Sequence, residues 1–135
     1  MTRHPEILPV LALGLVLGSA RAGDPITPPA PAADKLAQAK LDAARKSFES
    51  VWASQRYTEV EIPYRWSCRW LQAQRQLAGK KDEQVAACQK HLERMRELER
   101  LTQQQYQQQI LSITQVDAAR YYVVEAEEWL ARAIK

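Results

Sequence analysis

Histidine, cysteine and glycine are scarce in this chain of 135 residues: there are two histidines, His4 and His91, two cysteines, Cys68 and Cys88, and four glycines, of which one, Gly79, follows residue 34. A closed zinc site wants four ligands in characteristic spaced pairs. That set is lacking here, so no metal or other cofactor is expected. Cys88 and His91 stand at i and i+3 on one helical face, with Cys68 as a third ligand at most. Nucleophilic attack by Cys88 with His91 as base would also need an oxyanion hole and an orienting partner, and no sequence feature provides either. His91 is therefore expected at the solvated surface. Glycine-rich phosphate loops, G-x-S-x-G elbows and H-E-x-x-H helices are missing as well. Charge of one sign never accumulates: 19 Lys and Arg against 16 Asp and Glu give +3, and the basic residues alternate with acids or glutamines. That pattern argues against a nucleic-acid binder, and the length leaves room for one small domain, not a two-domain enzyme.

Long hydrophobic runs are absent too. The one sizeable apolar stretch, Ile7 to Leu17, is interrupted by Pro9 and reaches about half the length needed to cross a bilayer. Met1-Thr2-Arg3-His4 precedes it and small residues at Ala20 and Ala22 follow, which are the three parts of a secretory signal peptide. No cysteine directly follows to carry a lipid anchor. The expected organisation is a signal peptide over residues 1–22, cleaved after Ala22, a proline-rich extended linker over 23–34, and a helical domain over 35–135. The released chain would be periplasmic or secreted.

Beyond Asp34 there is a single proline, Pro63, in a region rich in Ala, Leu, Gln, Glu, Lys and Arg, so helix formers dominate. Ala37, Leu41, Ala44, Phe48 and Val51 fall at alternating steps of four and three and make one stripe, with Asp34 as a plausible N-cap. Pro63, Trp66, Trp70, Ala73 and Leu77 make a second stripe, while Tyr64, Cys68, Leu71 and Ala78 make another on the opposite side of the same helix. A helix apolar on two faces is shared between two neighbours, which puts it at the centre. Gly79-Lys80-Lys81-Asp82 supplies a stop and a restart, through a left-handed glycine and an Asp cap. Val85, Cys88, Leu92, Met95, Leu98 and Leu101 mark a third helix, and Val116, Ala119, Val123, Ala126, Leu130 and Ala133 a fourth. Capping patterns at Thr58-Glu59-Val60-Glu61 and Ser112-Ile113-Thr114-Gln115-Val116-Asp117 predict breaks near 58–62 and 109–113. The fold class is all-α, an antiparallel bundle of about four helices; two long kinked helices in one coiled-coil hairpin use the same stripes. Leu71 to Ala78 and Val124 to Ala131 align as an approximate repeat, consistent with a two-plus-two division.

Trp66, Trp70 and Trp129, at helical spacing, are expected as core anchors. Cys68 and Cys88 form the one candidate disulfide of an exported chain. A tight turn about Lys80 argues against it, because residue 92, not Cys88, would then lie opposite Cys68, an offset of about 6 Å along the axis. Gln103 to Gln109 is polar on every side around Tyr106 and is expected to protrude as a polar tip.

The run Tyr106-Gln-Gln-Gln109-Ile110-Leu-Ser-Ile113-Thr114-Gln-Val116-Asp117-Ala-Ala119-Arg120-Tyr-Tyr-Val-Val-Glu-Ala126 resembles the periplasmic tip of TolC-type outer-membrane efflux proteins. In that family a helix ends in an aromatic, a glycine-containing turn follows, a Thr/Ser-x-aliphatic-x-x-Ala segment opens the next helix, and the tip docks a membrane-fusion protein. Arg56-Tyr57 and Trp66 to Ala73 resemble a weaker second copy. The family glycine would fall at Gln109, a departure that bears on the docking geometry, and strands for a barrel are lacking. The resemblance implies an interface at Tyr106, Gln109, Ile110, Ile113, Thr114 and Asp117. Leu101-Thr102-Gln-Gln-Gln105 is similar to the L-T-x-x-Q motif of small periplasmic helical chaperones that cradle unfolded clients. The expectation is a non-enzymatic envelope protein that binds a protein partner, without nucleic acid or small-molecule substrate, and with helical faces able to pair copies of the chain.

Overall fold

The computed structural model describes residues 30–55 and 57–135, so the expected signal peptide, residues 23–29 of the linker and Arg56 lie outside the described residues. The described chain forms four helices, α1 (Ala30–Ser54), α2 (Glu61–Leu77), α3 (Lys81–Gln107) and α4 (Ile113–Ile134), and no strand. The breaks fall where the capping patterns put them, so the chain makes four separate rods and not one kinked hairpin. None of the helices is long and apolar enough to cross a membrane.

The two central helices, α2 and α3, run antiparallel. Ser67 meets His91 across them, and Leu71 packs with Ala87 and Cys88 nearer the turn. On one side α1 lies along α2, with the Phe48 ring 5.6 Å from that of Trp70. On the other side α4 runs back along α3, and it touches α2 as well. The α4 stripe reads as its spacing dictates: Val116, Ala119, Val123 and Ala126 are all buried, and the two alanines let the helix approach α3 closely. Met95 and Leu98 of α3 are fully buried against Tyr57, Val60, Leu92, Ala119, Val123 and Ala126. A smaller cluster of Leu71, Ala87 and Cys88 lies under Trp129, Leu130 and Ala133.

Helix ends depart from the sequence expectation in instructive ways. The linker assigned to 23–34 gives way to helix at Ala30, with Pro31 in the first turn, where its missing N–H costs nothing. Asp34 is consequently inside α1 and caps nothing. The Thr58 box does not close, since α2 begins after Val60 without a side-chain cap. Instead the Val60 N–H donates to Gln115 Oε1 of α4 at 2.8 Å, a tertiary contact in place of a local one. Gly79 is not left-handed and a Cβ there would meet open space. At the start of α3, Lys80 takes the cap position and Asp82 lies inside the helix; the carboxylate of Glu83 accepts the N–H groups of Gly79 at 2.9 Å and Lys80 at 3.2 Å. Ser112 occupies the N-cap of α4, but its partner Gln115 has turned inward to Val60, so that box stays open too. The approximate repeat carries into packing only in part: Ala73 and its counterpart Ala126 are both buried, whereas Leu71 is buried and its counterpart Val124 is exposed.

Candidate functional site

The tip between α3 and α4 is built by backbone geometry. Gln109 adopts a left-handed conformation with φ 59°, at the position where the resemblance places a glycine. The Gln109 N–H donates to the Tyr106 carbonyl at 2.9 Å and the Ile110 N–H to the Gln105 carbonyl at 2.8 Å. This pair of bonds is the Schellman arrangement, which satisfies carbonyls that the helix end would otherwise leave open. A non-glycine residue in that conformation costs about 1–2 kcal/mol, so the turn is held against a local preference for something else.

The closed turn brings Tyr106, Gln109, Ile110, Ile113 and Thr114 together at the tip, all exposed, with Ile110 65% and Ile113 50% accessible. Asp117 lies one turn further along α4, also exposed. The exposed face continues past it to Tyr121 at 63% and Val124 at 59%. These two extend the apolar strip from the tip down the outer side of α4. Sequence reasoning passed over them, although steps of four, four and three from Ile113 through Asp117 place them on its face. Inward from the strip, Val116 and Ala119 enter the core, which fixes which way α4 presents its outer residues.

Beneath the surface lies a polar cluster around His91, the residue expected in solvent. His91 is 1% exposed, not solvated, because its position on α3 is wrapped by α2 and α4. Its Nδ1 is 2.8 Å from Ser67 Oγ, and Arg94 Nε donates to the same oxygen at 2.7 Å. The Ser67 hydroxyl proton is placed when it donates to Nδ1, leaving the imidazole proton on Nε2. That Nε2 is buried without a hydrogen-bond partner. The ring stacks on Trp129 at 5.3 Å. Burial, and secondarily the Arg94 charge, push the imidazole down to about 4. Arg94 lies 4.2 Å from the Trp70 ring centre and 5.6 Å from that of Phe48, and burial lowers its guanidinium to about 10. A serine paired with a histidine would suit nucleophilic chemistry, but Ser67 is fully buried and its oxygen already accepts from Arg94. The cluster ties α2 to α3.

The remaining expected residues take lesser roles. Trp66, Trp70 and Trp129 are half-buried, not core anchors; the aliphatic residues of α3 and α4 fill the centre, and the indoles lie over its margins. Trp66 carries the Arg69 guanidinium at 4.5 Å. Cys68 and Cys88 are free thiols, with Cys88 in the Leu71 cluster and Cys68 displaced along α2, as the hairpin register requires. Burial pushes the Cys68 thiol up to about 11 and also raises that of Cys88, so both stay protonated and poorly nucleophilic at neutral pH. Tyr64 stacks on Tyr122 at 3.7 Å and donates to Glu125 at 2.5 Å. No group of three His, Cys, Asp or Glu residues is placed to hold a metal ion among the described residues. Across the α3–α4 seam, Arg96–Glu127 at 3.0 Å and Arg120–Glu99 at 3.3 Å are exposed ion pairs of small energetic weight. Compared with known proteins, the chain matches no protein-family model, no curated protein and no solved structure.

Proposed function

We propose that this chain is a non-enzymatic, exported module of the cell envelope that binds another protein through the α3–α4 tip, similar in manner to the periplasmic helices of TolC-type efflux proteins. The observation that carries the reading is the concentration of exposed apolar side chains, Tyr106, Ile110 and Ile113, on a turn closed by two backbone bonds. Apolar groups held rigidly in water lose little conformational entropy on docking and gain burial. The order of parts also fits: an aromatic at the helix end, a left-handed residue in the turn, then Thr114-x-Val116-x-x-Ala119 with its aliphatic members facing the core. The test is affinity capture of the chain with an envelope transport complex. Changing Ile113 to Glu or Asp117 to Arg should abolish the capture while leaving the thermal unfolding of the bundle in place. Capture that survives both changes would refute the tip as the interface.

A holdase chaperone is the second reading, favoured by the exposed Tyr121 and Val124, which widen the apolar strip toward a surface for unfolded clients. Within its L-T-x-x-Q run, Thr102 is fully buried and donates to the Leu98 carbonyl at 2.6 Å, so that residue serves the helix. Suppression of aggregation of a denatured client at near-equal ratio distinguishes this reading from the first.

A further inference from the structure

At the opposite end of the bundle from the tip, a cleft of about 670 Å³ opens between α2, the start of α3 and the end of α4. That size falls within the range of small-molecule sites. Its apolar side is made by Leu71, Trp129 and Ala133, and its charged side by Arg75, Lys81 and Arg132. Among the described residues no carboxylate lines it. Arg132 pairs with Glu128, whereas Arg75 and Lys81 have no ion-pair partner among the described residues. Two uncompensated cations facing an indole and aliphatic carbons make a surface that complements one kind of ligand: an anionic head on an apolar body. Trp129 is already fixed in orientation by its stack on His91, so the apolar wall is preorganised and needs no rearrangement to receive it. The half-buried Cys68 in the lining keeps its proton, so the site offers binding, not covalent chemistry.

We infer that this cleft binds a small organic monocarboxylate with an apolar chain, its carboxylate between Arg75 and Lys81 and its chain against Trp129 and Leu71. The site is separate from the tip and stands or falls independently of the proposed protein partner. Titration calorimetry with decanoate, kept below its micelle concentration, should give saturable binding of one molecule per chain. The double variant Arg75→Gln/Lys81→Gln removes two exposed charges without touching the core, and should weaken binding about tenfold. Added salt should weaken binding to the parent chain as well, since exposed charges are screened. Decanol, with the same chain and no charge, should bind at least about tenfold more weakly than decanoate. Absence of saturable decanoate binding would overturn the inference. So would equal affinity for decanol, or affinity unchanged in the double variant at unchanged circular dichroism.

Discussion

Lowering the pH from about 7 to about 4 should strip stability from this bundle through one interior group, the imidazole of His91. In the unfolded chain a histidine takes up its proton near pH 6.5, whereas in the fold burial and the neighbouring Arg94 hold it down to about 4. Between those values the unfolded state binds a proton that the native state refuses, so stability rises with pH and is lost as pH falls through the window. The gap corresponds to about 3 kcal/mol, a large share of the stability of a domain this small. Each neighbouring element explains why the native ring resists protonation: α2 offers the uncharged Ser67 hydroxyl, α3 adds the like charge of Arg94, and α4 covers the ring with Trp129. The assay is urea unfolding followed by far-UV circular dichroism across this range, on the parent chain and on His91→Gln. Carboxylates contribute equally to both proteins, so the difference between the two curves isolates the imidazole. The parent should lose about 3 kcal/mol more than the variant by pH 4. Parallel curves, or a His91 imidazole carbon resonance that titrates near 6.5, would refute the reasoning.

Two further outcomes follow from local geometry. Gln109→Gly should raise the urea midpoint, with a gain of about 1 kcal/mol, because glycine takes the left-handed conformation without a Cβ penalty; an unchanged or lowered midpoint would show that the turn is not strained there. Ser67→Ala should cost about 2–3 kcal/mol, since it leaves the buried Nε of Arg94 without its acceptor and His91 Nδ1 without its donor, and a loss under about 0.5 kcal/mol would mean that water replaces the hydroxyl.

Much of the fold is legible in residue spacing. The stripe from Val116 to Ala126 predicts the buried face of α4 residue by residue, and the two apolar stripes of α2 predict its central place between α1 and the α3–α4 pair. What spacing did not convey is the line between those stripes. Ser67 lies midway along Pro63, Ser67 and Leu71, all buried, yet a polar residue type argues for solvent when periodicity argues for the interior. His91 is the same case on α3, three residues after Cys88 and four before Met95, both buried. Each is tolerated inside because the other, with Arg94, supplies a hydrogen bond that a single helix cannot reveal. Helix starts escape the local sequence for a related reason: Gln115 satisfies Val60 across the bundle instead of closing its own capping box. Of the tip, the exposed polar and apolar residues are legible, whereas the left-handed conformation at Gln109 is not, because a glutamine carries no preference for it. The tryptophans were overrated, because indoles suit the margins of a thin bundle whose centre aliphatic side chains fill. The cleft is built from three helices and has no signature in any one of them.

The most direct test of the central claim is site-specific photocrosslinking in intact cells, with the photoreactive residue placed at Ile113 on the tip and, as a control, at Gln89 on the exposed face of α3. The account predicts one defined protein adduct from Ile113, on a component of an envelope transport complex, that disappears when Asp117 is changed to Arg, and no matching adduct from Gln89. Equal adducts from both positions, or none from the tip, would contradict it.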